Sequence, residues 1–145
     1  MTTMVDVVDV LGGKGTLGLR GEIDPLTLHE RIRDGFPYRA LERLATRFAL
    51  PKGPLSLVLA LPPSTDVRRK RAGRLSGEES DRLYRVARIV AHARRTFGSD
   101  EGASIWLREP NHGLGGATPL SLLQTGLGAH QVETLLGRLD HGIAA

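Results

Sequence analysis

The sequence contains no cysteine and only six aromatic residues: three Phe, two Tyr and one Trp. Without thiols, a disulfide framework and a cysteine-based metal site are both excluded. The scarcity of aromatics leaves Leu, Val, Ile and Ala to build the core, which favours packed helices over a sandwich of strands. Two other absences narrow the reading. No basic segment followed by a short apolar one opens the chain, and no apolar run approaches the roughly 18 residues of a membrane span. The chain therefore reads as cytoplasmic.

What is present is a chain of 145 residues, enough for one ordinary domain or two small ones, with 20 Lys and Arg against 16 Asp and Glu. The net charge of +4 is local, because ten of the 20 basic residues lie between Val67 and Phe97. Such a patch suits phosphate contact through counterion release, and it equally suits a solvated helix face; charge by itself does not choose between them.

Catalytic patterns are missing. His29, His92, His112, His130 and His141 show no metal-binding spacing. Gly13-Lys14-Gly15-Thr16 has the wrong order for a phosphate loop, in which four residues separate two glycines and the lysine follows the second directly. No serine sits in a G-x-S-x-G elbow, and Glu78-Glu79 falls in the first turn of a helix, where the dipole favours negative charge. The sequence predicts neither an enzyme nor a cofactor or metal site.

Residues 1–21, with five glycines in their second half, read as a variable arm. Asp24-Pro25 then starts a helix carrying Leu26, Leu28 and Ile32, and another begins near Pro37 with Leu41, Leu44, Ala45 and Phe48 on one face. After a break at Pro51-Lys-Gly-Pro54, a short apolar helix over Leu55 to Leu61 meets Pro62-Pro63, and Ser64 is placed to cap a basic helix. This is the layout of a helix-turn-helix. Its second helix would bring Ser64 and Thr65 to base edges and Arg68, Arg69, Lys70 and Arg71 to phosphates, with Asp66 repelling them. The same motif can also serve packing or dimerisation alone.

Ser76 and Glu79 form a capping box at the start of a long helix, with Leu83, Val86, Ala87, Val90, Ala93 and Phe97 in one arc. Arg85, Arg88, His92 and Arg95 cluster opposite, facing solvent, while Arg94 falls inside the apolar arc and needs a carboxylate from elsewhere. Gly98 ends this helix. A segment with Trp106 as a core anchor follows, then a turn at His112 to Gly116, a short helix from Pro119, and a second break at Gly126-Leu-Gly128. A final helix spans about residues 129–141, with Val132, Leu135, Leu136 and Leu139 aligned.

The series Leu75-Ser-Gly-Glu-Glu-Ser-Asp-Arg-Leu, then Arg85, Arg88-Ile89, Ala91, Phe97-Gly98, Ala103, Trp106-Leu107, Pro110-Asn111, Leu114-Gly-Gly116, Pro119-Leu120, Leu122-Leu123 and Gly128, resembles the Xre/MbcA/ParS antitoxins. Ile32-Arg-Asp-Gly-Phe36 and the stretch from Ser64 to Arg71 resemble the helix-turn-helix half carried by many members, so the resemblance spans about residues 28–142. It implies an all-α fold with three parts: the arm over 1–21, a helix-turn-helix-like domain over 22–75 and a toxin-binding domain over 76–145. It further implies a type II antitoxin that silences a RES-family toxin, an ADP-ribosyltransferase-like protein that depletes NAD. The family's C-terminal end lies at the toxin's active-site entrance, which here points to Leu139, His141, Gly142 and Ile143. Independently of the resemblance, Arg85 and Arg88, on the face read as solvent-exposed, are expected as further toxin contacts, since arginine is a common interface anchor. Operator DNA is the second implied partner, and a homodimer is expected as the default for helix-turn-helix proteins and small homo-oligomers. The chain departs from the family at Pro62-Pro63, which replaces the usual turn. A stand-alone transcription regulator is the alternative.

Overall fold

A computed structural model describes residues 2–142. In chain order the described residues form α1 (Met4–Val10), α2 (Lys14–Leu17), α3 (Pro25–Asp34), α4 (Tyr38–Arg47), α5 (Lys52–Leu59), α6 (Pro63–Ala72), α7 (Gly77–Phe97), α8 (Asp100–Arg108), α9 (Pro119–Leu122) and α10 (Gly126–Asp140). The fold is all-α, as expected. Among the described residues the extended pairing is limited to an isolated bridge between Pro37 and Arg74.

Small polar residues start most of these helices by accepting from orphan N–H groups of the first turn. Thr3 caps α1, Asp24 α3, Ser99 α8, Thr118 α9 and Thr125 α10. At α7 the capping box is complete: Glu79 N–H donates to Ser76 Oγ at 3.2 Å, and Ser76 N–H donates to Glu79 Oε1 at 2.8 Å.

Helix α7 is the axis of the molecule. It is about 30 Å long, and α1, α3, α5, α8 and α10 all pack on it. Leu83, Val86, Ala87, Ile89, Val90, Ala91 and Ala93 are buried, an arc wider than one apolar stripe. The reason is that helices cover α7 on several sides, including the side that sequence pattern alone assigns to solvent.

Residues 2–21 carry buried side chains of the folded core. The Thr3–Asp6 capping box nucleates α1, and Val7, Val10 and Leu11, at i, i+3 and i+4, are buried together with Val8, Leu17 and Leu19. Helix α1 packs on α7 and α4, and α2 on α1 and α4, which draws this segment into the core.

At two expected breaks the chain does break, but the following helix starts earlier than the sequence pattern implies. Pro54 is the third residue of α5, where its missing N–H would have no partner within the helix in any case. Gly126-Leu-Gly128 is the first turn of α10, held by Thr125, whose hydroxyl accepts from Gly128 N–H at 3.0 Å. A Cβ on Gly128 would lie 2.0 Å from the Leu122 carbonyl oxygen, so glycine is what lets α10 approach α9.

The segments before α4 and after α6 close on each other. Leu75 N–H donates to Phe36 O and Tyr38 N–H to Gly73 O, both at 2.9 Å, while Ser80 Oγ accepts from Phe36 N–H at 2.7 Å. Gly35 sits at φ +97°, and a Cβ there would meet the Leu75 carbonyl oxygen at 2.1 Å. This crossing ties the helix-turn-helix segment to the N-terminal end of α7.

Candidate partner-binding surfaces

Helix α6 begins at Pro63 with Pro62 in the cap position, so Ser64 lies in the first turn rather than capping it. Stepping 100° per residue places Ser64, Val67, Arg68 and Arg71 on one outward face, and all four are exposed. Thr65 is half-buried beside them, with Arg68 Nη2 at 3.4 Å from its hydroxyl. Asp66, expected to repel phosphate, is turned inward instead and is 5% exposed. Its Oδ1 accepts from the Tyr38 hydroxyl at 2.7 Å, and Lys52 Nζ stands 3.3 Å from its Oδ2.

The other two basic side chains of α6 have intramolecular partners. Arg69 Nε donates to Glu79 Oε1 at 2.8 Å, the oxygen that also completes the α7 capping box. Burial pushes the Glu79 carboxyl up, but Arg69 and the Ser76 N–H more than offset it and hold the group below the usual carboxylate range. Lys70 Nζ lies 4.0 Å from Glu42. Arg68 and Arg71 thus remain the arginines of the outward face.

Along α7, the basic stripe meets α10. Arg88 Nη2 donates to Glu133 Oε1 at 2.6 Å, although Arg88 remains exposed at its rim. His92, read from sequence as facing solvent, has Nε2 2.6 Å from Asp140 Oδ2, and the Thr96 hydroxyl donates to Asp140 Oδ1 at 2.6 Å. Arg85, half-buried, lines an open groove with His29, Arg33, Asp81 and Arg82 at the other end of α7. Arg94 meets its expected carboxylate, with Nε 3.0 Å from Asp100 Oδ1 on α8.

The C-terminal candidates stand together where α10 ends. Leu139 is half-buried, while His141 and Gly142 are exposed. The His141 ring Nδ1 lies 2.7 Å from the Gly137 carbonyl oxygen, so this side chain also closes the last turn of its own helix. Ile143 lies outside the described residues.

Sequence pattern misses two features. Arg47 on α4 bridges Asp9 on α1 (3.1 Å) and Asp100 on α8 (2.9 Å), joining the beginning and the later half of the chain. Trp106, placed by sequence in the core, is half-buried and packs its ring 5.5 Å from that of Phe97, which with Ile105 stays partly exposed. No local signal marks either: Arg47 joins residues 38 and 53 positions away, and Phe97 meets Trp106 only because α8 folds back on α7. Among the described residues no group of three or more His, Cys, Asp or Glu is placed to hold a metal ion, and no helix is long and apolar enough to cross a membrane.

Comparison with known proteins matches residues 92–142 to the family described as the antitoxin Xre/MbcA/ParS C-terminal toxin-binding domain. Residues 27–88 match the antitoxin Xre-like helix-turn-helix domain. The two matches divide within α7, which runs unbroken through both. Similar whole proteins include an "Antitoxin Xre" of Yersinia enterocolitica, 36% identical over 118 residues and 80% of each chain. Another, from Photorhabdus laumondii, is 31% identical over 120 residues and 81% of each. A third, from Pseudomonas putida, is 37% identical over 116 residues, covering 79% of this chain and 72% of that protein.

Proposed function

The chain belongs to the Xre antitoxin family, and from that premise we propose that this type II antitoxin neutralises a RES-family, NAD-depleting toxin by occluding its active site. The residues that close the entrance are Leu139, His141, Gly142 and Ile143, with Arg85 and the rim of Arg88 as flanking contacts. One observation carries this reading: His141 and Gly142 leave α10 exposed, at the end of a helix whose other face is packed on α7. Exposed residues at the end of a fixed helix need only shape and a low ordering cost to exclude substrate. The antitoxin itself supplies no catalytic group and no cofactor, and it acts in the cytoplasm beside its toxin. Removing residues 141–145 and co-expressing the truncated chain with the toxin of the adjacent reading frame tests this. Loss of neutralisation with retention of the complex is expected; full neutralisation by the truncated chain overturns it.

A second reading, repression of its own operon, draws on the outward face of α6. Ser64, Thr65, Arg68 and Arg71 are available to DNA there, Lys70 can reach a flanking phosphate, and the inward turn of Asp66 removes the repulsion anticipated from sequence. We assign Arg69 to the α6–α7 junction rather than to DNA. A homodimer within the toxin–antitoxin hetero-oligomer would match two operator half-sites. Binding to upstream DNA with a steep salt dependence, and a dimer mass by light scattering, are the expected results. DNA binding without any toxin binding would instead favour a stand-alone regulator.

A further inference from the structure

Asp140 is an unexpected residue at the end of α10. A carboxylate in the last turn faces the negative end of the helix dipole, so the helix by itself is weakened by it. Its reason must be tertiary, and the partners are present: Thr96 Oγ1 at 2.6 Å from Oδ1 and His92 Nε2 at 2.6 Å from Oδ2. Each carboxylate oxygen therefore has its own partner, which fixes the orientation of the group as well as its position.

The surrounding spacing makes this a register lock. Arg88, His92 and Thr96 stand at i, i+4 and i+8 on one stripe of α7. Glu133 and Asp140 stand at i and i+7 on α10, two turns apart, with Glu133 2.6 Å from Arg88 Nη2. The two helices run the same way along this seam, so a slide by one turn would break the Arg88–Glu133 pair and take from Asp140 one of its two partners. Beneath the seam, Val132, Leu135 and Leu136 are buried, and apolar contact of that kind holds α10 down without choosing a register.

We propose that the clasp of Asp140 by Thr96 and His92 is a positioning device that aims His141 and Gly142 at the toxin, so that these residues are pre-oriented before the complex forms. This rests on the occlusion reading above. In it Thr96, His92 and Asp140 are positioning residues that touch no toxin group. Pre-orientation spares the complex the entropy of ordering the tail.

The test uses the full chain as Asp140→Asn, Thr96→Val and Thr96→Ser, with the chain lacking residues 141–145 as reference. In the free protein, amide hydrogen exchange at His141 and Gly142 should rise about tenfold in Asp140→Asn and Thr96→Val and stay at the wild-type rate in Thr96→Ser, which keeps the hydroxyl. With the toxin of the adjacent reading frame, the first two variants should bind with nearly unchanged affinity yet leave NAD hydrolysis measurable at saturating antitoxin. Thr96→Ser should inhibit completely. Wild-type exchange and complete inhibition in all three variants overturn the clasp. So does a loss of toxin binding that Thr96→Ser shares, since that is a folding defect. If the truncated chain fails to inhibit while the clasp variants inhibit fully, the clasp alone falls. If the truncated chain inhibits fully, the occlusion reading falls and takes the clasp with it.

Discussion

The Tyr38 hydroxyl donates to Asp66 Oδ1 across 2.7 Å, in the angle between α4 and α6 where both side chains are buried. This bond holds the helix that presents Arg68 and Arg71 against the helix that carries the Leu41 and Leu44 core face. Burial first, then the bond to Asp66, push the Tyr38 hydroxyl well above its ordinary value near 10.

Tyr38→Phe should therefore destabilise the fold by about 1–2 kcal/mol at neutral pH, because a buried carboxylate loses a donor. The pH dependence follows from the raised value: the folded state retains the proton where the unfolded chain has lost it. The contribution is complete below pH 10 and is lost as pH rises above it. Denaturant titrations at increasing pH should show a declining alkaline limb in the wild type and a flatter one in Tyr38→Phe.

Arg47 and Asp100 contribute to the acid limb. The Arg47 hydrogen bond is the largest influence on Asp100; it and the Arg94 bond outweigh burial and hold the carboxyl below its ordinary value of 3.8. A depressed folded-state value contributes stability above 3.8 that is lost as pH falls through the lower folded value. Asp100→Asn should lower Tm at neutral pH, and its deficit should shrink as pH falls below that range. Arg47→Gln should behave alike, and the double variant should fall short of the sum, since both act on one cluster.

Gly128 and Gly137 lie on the same helix and should respond oppositely to alanine. At Gly128 the added methyl meets the Leu122 carbonyl oxygen at 2.0 Å, so Gly128→Ala should cost about 2 kcal/mol or more as α9 and α10 are forced apart. Nothing lies within 4 Å of a Cβ on Gly137, and Gly137→Ala should gain about 1 kcal/mol from helix propensity. Thermal unfolding of the two variants checks both signs.

The arginines of α6 should separate by role. Arg68→Ala and Arg71→Ala should leave Tm almost unchanged while each lowers the salt slope of operator binding by about one. Arg69→Ala should lower Tm instead, because it strips the buried Glu79 of its cation. Electrophoretic shifts across a salt series, read beside melting curves, distinguish these outcomes.

Helix starts and stripes were legible in the sequence because their causes are local. Ser76 and Glu79 lie within one turn of each other, Asp24-Pro25 and Thr118-Pro119 specify their own helix entries, and Leu83, Val86, Ala87, Val90 and Ala93 repeat at the helical period. Each of these signals requires only neighbours in the chain.

Periodicity gives the angle of a residue around its helix and does not say what covers that angle. Arg88 and His92 were correctly placed opposite the apolar arc, but only the docking of α10 turned that side into an ion-paired seam. Asp66 was legible as an acid in the first turns of a basic helix, and only the position of Tyr38 on α4 decided that it would point inward. The sequence by itself determined a helical protein with these caps and apolar faces. The tertiary structure decided that Val7, Val10, Leu11, Leu17 and Leu19 belong to the core, which arginines of α6 face outward, and where His141 and Gly142 are exposed. Those outcomes depend on contacts between residues tens of positions apart, and no window along the chain contains both members of such a pair.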